Sequence, residues 1–280
     1  MGSSSGRALA GLIQAAHPLP CLAVSGIAAG FAATSGRSTV DCLAIGGTVL
    51  ASQLAIGWDN DYLDRDRDIA VDRRDKPLVT GAVSAGTVRA ASAAAAVSFL
   101  VSLFWYPIRA AVVAVLAAAA AAGYNRGLKA TALSPLPYAV SFGLLPAFVT
   151  LSADPAGWPP AWITAAAALL GVGAHFANAL PDIGDDLATG VIGLPARLGP
   201  GRAALAAAGC LALAGVLLSA GIGLLAHPAG IALLAVNLLL SAAIAGWALI
   251  SEHRSEAPFR LAVVVAVLDV LLLLGSGRVR

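Results

Sequence analysis

Charge is scarce in this sequence. Only 11% of its 280 residues are Asp, Glu, Lys or Arg while 59% are hydrophobic, with a mean hydropathy of +0.86, a balance that excludes an ordinary soluble globular domain. The expected solvent is the bilayer. Cysteine is scarce too: Cys21, Cys42 and Cys210 each stand alone in an apolar run, without a CxxC pair or a Cys/His cluster at metal spacing. They read as small buried apolar residues. Aromatic residues make up 6%, and the seventeen Lys and Arg side chains are scattered among loops without aromatic interleaving, so no nucleic-acid partner is expected. A long polar stretch is also missing. The longest, Trp58 to Gly81, is only a loop, and residues 1–280 read as a single membrane domain.

What is present is a series of apolar runs of roughly 20 residues, the length that crosses a bilayer. Nine qualify: about 9–33, 40–58, 84–104, 108–124, 132–151, 160–180, 203–225, 229–250 and 259–275. They are rich in Ala and Leu and lack period-two alternation, so they predict helices and not strands. The expected fold is all-α, a polytopic membrane bundle of nine transmembrane helices. The first run is read as one span although His17-Pro18-Leu19-Pro20 interrupts it, and Met1 to Gly6 reads as a flexible lead-in. With the N-terminus cytoplasmic, thirteen of the seventeen Lys and Arg residues fall on that side; Arg37, Arg109, Arg278 and Arg280 fall on the other. This bias predicts a cytoplasmic N-terminus and cytoplasmic acidic loops.

The acidic residues are distributed unevenly. Of fifteen, seven lie between Asp59 and Asp75 and three between Asp182 and Asp186. Charges beside a membrane span are expensive, so such clusters ask for positive partners, a metal, or both. At about 100° per residue from Asn60, Asp64 falls near 40°, Asp68 near 80° and Asp61 near 100°, which gives one face; Asp66 falls near 240° and is expected in solvent beside Arg65 and Arg67. Asp182 and Asp186, at i and i+4, share a second face with Asn178 one turn earlier. Magnesium takes oxygen ligands and commonly bridges one or two carboxylates to substrate phosphates. Two such clusters can hold one diphosphate through separate ions, and Arg73-Arg74-Asp75-Lys76-Pro77 supplies cations for phosphate oxygens.

Asn60-Asp61-x-x-Asp64-x-x-x-Asp68 resembles the NDxxDxxxD motif of the UbiA superfamily of intramembrane prenyltransferases, and Asp182-x-x-x-Asp186 resembles its second DxxxD. Lys76-Pro77-Leu78 with Gly81 is similar to the family's Arg-Pro-Leu turn, Tyr124 with Lys129 to its Tyr and Lys after the fourth helix, and Gly190, Leu194, Pro195, Arg197, Leu198 and Gly199 to the stretch after the second motif. Departures are Lys76 where Arg is common and Gly193 where Thr often stands.

The resemblance implies nine helices around a central cavity, capped by the two acidic loops and holding a prenyl tail among the spans. Asn60, Asp61, Asp64, Asp68, Asp182 and Asp186 would coordinate two Mg2+ ions; Arg73, Lys76 and Lys129, with Asn60 and Tyr124, would hold the diphosphate. It also implies transfer of a prenyl group from a prenyl diphosphate to an electron-rich, usually aromatic acceptor. Asp185 is an outer ligand or a base, and His175 either orients a ligand or packs. Tyr124 and Asn125 either bind phosphate or anchor at the interface. His17, His227 and His253 read as background. A terpene cyclase of the same architecture is the alternative. A transporter would spread charge through the membrane depth, often with inverted repeats, and neither is seen. A dead scaffold would tolerate loss of motif positions, and none is lost. Gly143 and Ala147 are expected to set cavity depth.

Overall fold

The computed structural model describes residues 4–250 and 255–276. His253, Arg254, Arg278 and Arg280, which enter the charge and histidine readings, lie outside the described residues, as do Met1–Ser3 of the lead-in. The described chain is helical throughout, with no strand. The lead-in is partly helical, because α1 (Ser4–Ala15) starts inside it. Helix α2 (Pro18–Thr34) leaves α1 at a bend of 60°. The cause is local: His17 takes a left-handed backbone at φ 54°, a region that sterically interrupts a right-handed helix, and Pro18 restarts it where no backbone N–H is needed.

Helix α3 (Thr39–Ala70) runs 32 residues without a break from its Ser38 cap, whose hydroxyl accepts from the Asp41 amide at 3.2 Å. The run predicted over 40–58 and the acidic segment after it are therefore one rod. At 1.5 Å per residue it is about 48 Å long, against a hydrocarbon layer of about 30 Å, which is enough to carry its acidic end out of the lipid.

The chain continues through α4 (Ala85–Ser102), α5 (Ile108–Asn125), α6 (Pro135–Leu151) and α7 (Ala161–Ala179). A 3-10 turn, Leu180–Asp182, links α7 to the short α8 (Ile183–Thr189). Then come α9 (Leu194–Leu198), α10 (Pro200–Gly221), α11 (Pro228–Ile250) and α12 (Ala257–Ser276). Every apolar run forms a helix. By length and composition six helical segments among the described residues suffice to cross a membrane, or seven if the bent α1–α2 pair is one span. At 17 residues α6 is shorter than these.

Neighbours pack in a chain that closes on itself: α2 on α3, α3 on α5, α5 on α6, α6 on α7, α7 on α12, and α12 back on α2. Helices α10 and α11 back this ring, and Asn237 on α11 donates to the buried Asp269 on α12 at 3.0 Å. Small residues allow the close approaches on which bundles in lipid depend. A side chain at Gly171 of α7 would lie 2.7 Å from Phe142 of α6. Away from the acidic loops, Val40, Phe104, Trp105 and Ile108 are highly exposed at helix ends, as apolar and aromatic groups are where a bundle meets lipid and its interface.

Candidate active site

The last turns of α3 present three carboxylates inward. Asp61, Asp64 and Asp68 are 1%, 7% and 3% exposed, whereas the Asp66 side chain is 93% exposed. Helical periodicity thus sorts them as read from the sequence. A buried carboxylate needs a partner, and each finds one. Asp61 Oδ1 accepts from Lys76 Nζ at 2.7 Å and lies 2.8 Å from His17 Nε2. Asp64 is bonded to Lys129 and to Arg67, the latter at 3.0 Å. Asp68 lies 3.8 Å from Arg67.

The second acidic segment comes to the same place. Arg67 Nη1 lies 3.7 Å from Asp186, and Arg73 Nη1 donates to Asp182 at 2.8 Å across 109 residues of sequence. Arg73 also reaches Asp185 at 3.8 Å and grips both Asp75 oxygens at 2.9 Å. The hydrogen bonds from Arg73 hold the Asp75 carboxyl below the usual carboxylate range, and those bonds in turn push the Arg73 guanidinium up. Burial pulls the Lys129 ammonium down, opposed by Asp64.

Beneath these groups is a pocket of about 270 Å³, lined by residues of α2, α3, α5, α6, α7 and α12 and by the loops around α8 and α9. Asn60, Asp64, Tyr124, Lys129, Asp182 and Asp186 line it, as do Asn125, Asn178 and His175. Asp61, Asp68, Arg73, Lys76 and Asp185 do not; they stand behind the wall and contact groups on it or near it. His175 is 2% exposed, bonds Ser134 at 3.1 Å and lies 4.8 Å from the Tyr138 ring. It is therefore a packed histidine whose edge reaches the pocket. Gly143 and Ala147 do not line this pocket: Gly143 faces Ala168 of α7 and Ala147 is in the core.

Two site residues escaped the sequence reading. Arg67 was set aside with Asp66, yet on the Asn60 wheel it falls near 340°, on the ligand face. With Arg73 it joins the two acidic segments. His17 was background, and its only signal was its place in the proline-flanked break. The bend turns it into the pocket wall, onto Asp61. At Gly193, where the resemblance expects Thr, a Cβ would lie 2.5 Å from the Lys129 carbonyl. Glycine there lets the loop before α9 close on the lysine turn.

The donor chemistry suits a hard divalent cation, since oxygen ligands predominate. Among the described residues no three His, Cys, Asp or Glu side chains are gathered as a ready-made cage. Instead the carboxylates are held by Lys and Arg, and Asp61 Oδ2 is buried with no hydrogen-bond partner. Such a set fits an ion that completes its shell with phosphate oxygens and water better than one caged by protein alone.

The UbiA prenyltransferase family model matches residues 19–268. The chain belongs to this family. No curated protein matches it in sequence, but solved structures share its fold. The apo structure of a UbiA homologue from Aeropyrum pernix K1 has a TM-score of 0.73 at 23% identity, covering 92% of this chain and 96% of that one. A UbiA homologue from Archaeoglobus fulgidus bound to GPP and Mg2+ gives 0.72 at 16%, covering 95% and 98%. A digeranylgeranylglyceryl phosphate synthase gives 0.65 at 19%, covering 96% and 98%. The chain is thus an integral membrane prenyltransferase by family, and UbiA members of this fold have been seen holding a prenyl diphosphate with Mg2+.

Proposed function

We propose that this UbiA protein transfers a prenyl group from a prenyl diphosphate to an electron-rich aromatic acceptor within the membrane, with Mg2+ holding the diphosphate. The observation that carries this reading is the convergence of two acidic segments, distant in sequence, on one pocket through Arg67 and Arg73. Asn60, Asp64, Asp182 and Asp186 on the wall, backed by Asp61 and Asp68, would hold two ions. Bound Mg2+ neutralises charge developing on the leaving diphosphate. Lys129, Arg67, Arg73 and Lys76 serve the same charge by preorganised electrostatics. As the allylic C–O bond breaks, the electron pair leaves with the diphosphate; the acceptor ring then attacks the allylic carbon and passes its displaced ring proton to the departed diphosphate. The apolar helices keep water from the cation. Asp185, held near Arg73, serves from behind the wall. The thirteen-to-four charge bias supports a cytoplasmic N-terminus and acidic loops.

The decisive experiment incubates purified protein with a panel of prenyl diphosphates, with and without phenolic acceptors, and analyses the products. Prenylated phenol together with diphosphate release is expected. Hydrocarbon or alcohol formed equally without acceptor would mean cyclisation. Asp182→Asn is expected to lower kcat/KM about 10²–10³-fold, the scale of losing one transition-state electrostatic contact, with the thermal midpoint kept. Retained activity removes Asp182 from the metal site.

A further inference from the structure

A second cavity, of about 60 Å³, adjoins the first on the side away from the acidic loops. It shares Val24, Gln53, Ile56, Ala121, Ser141 and Phe142 with the larger pocket and ends against Phe99 and Phe148. The same stripe of α3 runs through both, from Asp64 and Asn60 by Ile56 and Gln53 to Val49 and Thr48, so one line leads from the carboxylates to the inner space. Phe142 stands on the shared wall. Its ring stacks on Tyr138, with centroids 6.2 Å apart, and its base rests on the bare backbone of Gly171. That support holds the ring from the α7 side. The inner cavity is small, about 60 Å³ against about 270 Å³ for the pocket it adjoins, and Phe142 stands between the two.

Resting on the reading of the larger pocket as a prenyl diphosphate site, we propose that Phe142 is the residue that sets donor length: it stops the tail at the shared wall, and the cavity behind it receives the next isoprene unit once the ring is removed. One methylene in an apolar pocket changes kcat/KM by roughly 10–200-fold, so a five-carbon unit admitted or refused is visible in a donor panel.

The test compares kcat/KM by diphosphate release for geranyl, farnesyl and geranylgeranyl diphosphate in wild type, Phe142→Ala, Ala118→Leu and the double variant. Ala118 lines the inner cavity alone. Phe142→Ala is expected to shift the ratio toward the donor one unit longer than the wild-type optimum by at least tenfold. Ala118→Leu should leave wild type unchanged and reverse the shift in the double variant. If Phe142→Ala does not fold, Phe142→Leu must give a smaller shift in the same direction. An unchanged ratio in a turning-over Phe142 variant overturns the proposal. So does a loss of the longest donor in Ala118→Leu alone, since the tail would then already enter the inner space. Absence of diphosphate release from every donor in wild type instead overturns the reading of the pocket itself.

Discussion

Asp75 shows how the loop after α3 is fastened. Its carboxyl, held below the ordinary range by Arg73, contributes stability that is present above the unfolded aspartate value of about 3.9 and is lost as pH falls through the lower folded value. The difference in thermal midpoint between wild type and Asp75→Asn in detergent should therefore be constant from pH 7 down to about 5 and shrink as pH falls below the unfolded aspartate value of about 3.9. A gap that widens in acid contradicts this. The Asp75 side chain is 59% exposed, so solvent keeps the effect small. The carboxylates themselves were legible because α3 is a regular helix and each residue's angle follows from its number. Their partners were not. Lys76, Lys129 and Arg73 reach Asp61, Asp64 and Asp182 across 15, 65 and 109 residues, and pairings of that range are fixed by packing, which no local pattern records.

At the scale of elements, the run of apolar residues predicts where helices lie but not where they stop sharing an axis. The break at His17 was visible as a proline-flanked interruption, and its 60° turn depends on a left-handed residue that composition does not reveal. The passage from α7 through a 3-10 turn into α8 likewise places Asp182 and Asp186 on two short elements, not on one loop. Gly193 joins this region to the Lys129 turn by a close approach to the Lys129 carbonyl. Gly193→Ala sets a methyl against the Lys129 carbonyl, which cannot withdraw like a side-chain tip. The variant should lose about 1–3 kcal/mol of stability, the usual cost of overpacking, measured as a lower thermal midpoint. A wild-type midpoint would show that the loop has slack.

For the whole molecule, the number of crossings and their direction are what lipid imposes. The apolar runs marked each long helix but not the acidic last turns of α3 or the short α8 and α9, and α6 is short and α1 with α2 is bent, so residue count alone does not convert helices into spans. Direction is testable. In a variant with Cys21, Cys42 and Cys210 replaced by Ala, a cysteine introduced at the exposed Asp66 should react with a membrane-impermeant thiol reagent only from the cytoplasmic side, and one at Gly157 only from the other. Labelling of both from one side would break the charge-based topology, and exchanged sides would reverse it.

Asp61, Asp64, Asp182 and Asp186 are each paired with a resident cation, so on the proposed reading loading the site is a partner exchange. An incoming divalent ion would draw carboxylates from Lys129, Arg67 and Arg73, and a pyrophosphate group would take up the cations so released. Each guest prepares the place of the other, and by thermodynamic reciprocity the two couplings are equal. Calorimetry should show Mg2+ binding at least fivefold tighter with inorganic pyrophosphate than without, at the low end of ordinary coupling energies. Identical affinities in the two titrations would mean that the ion pairs are only scaffolding.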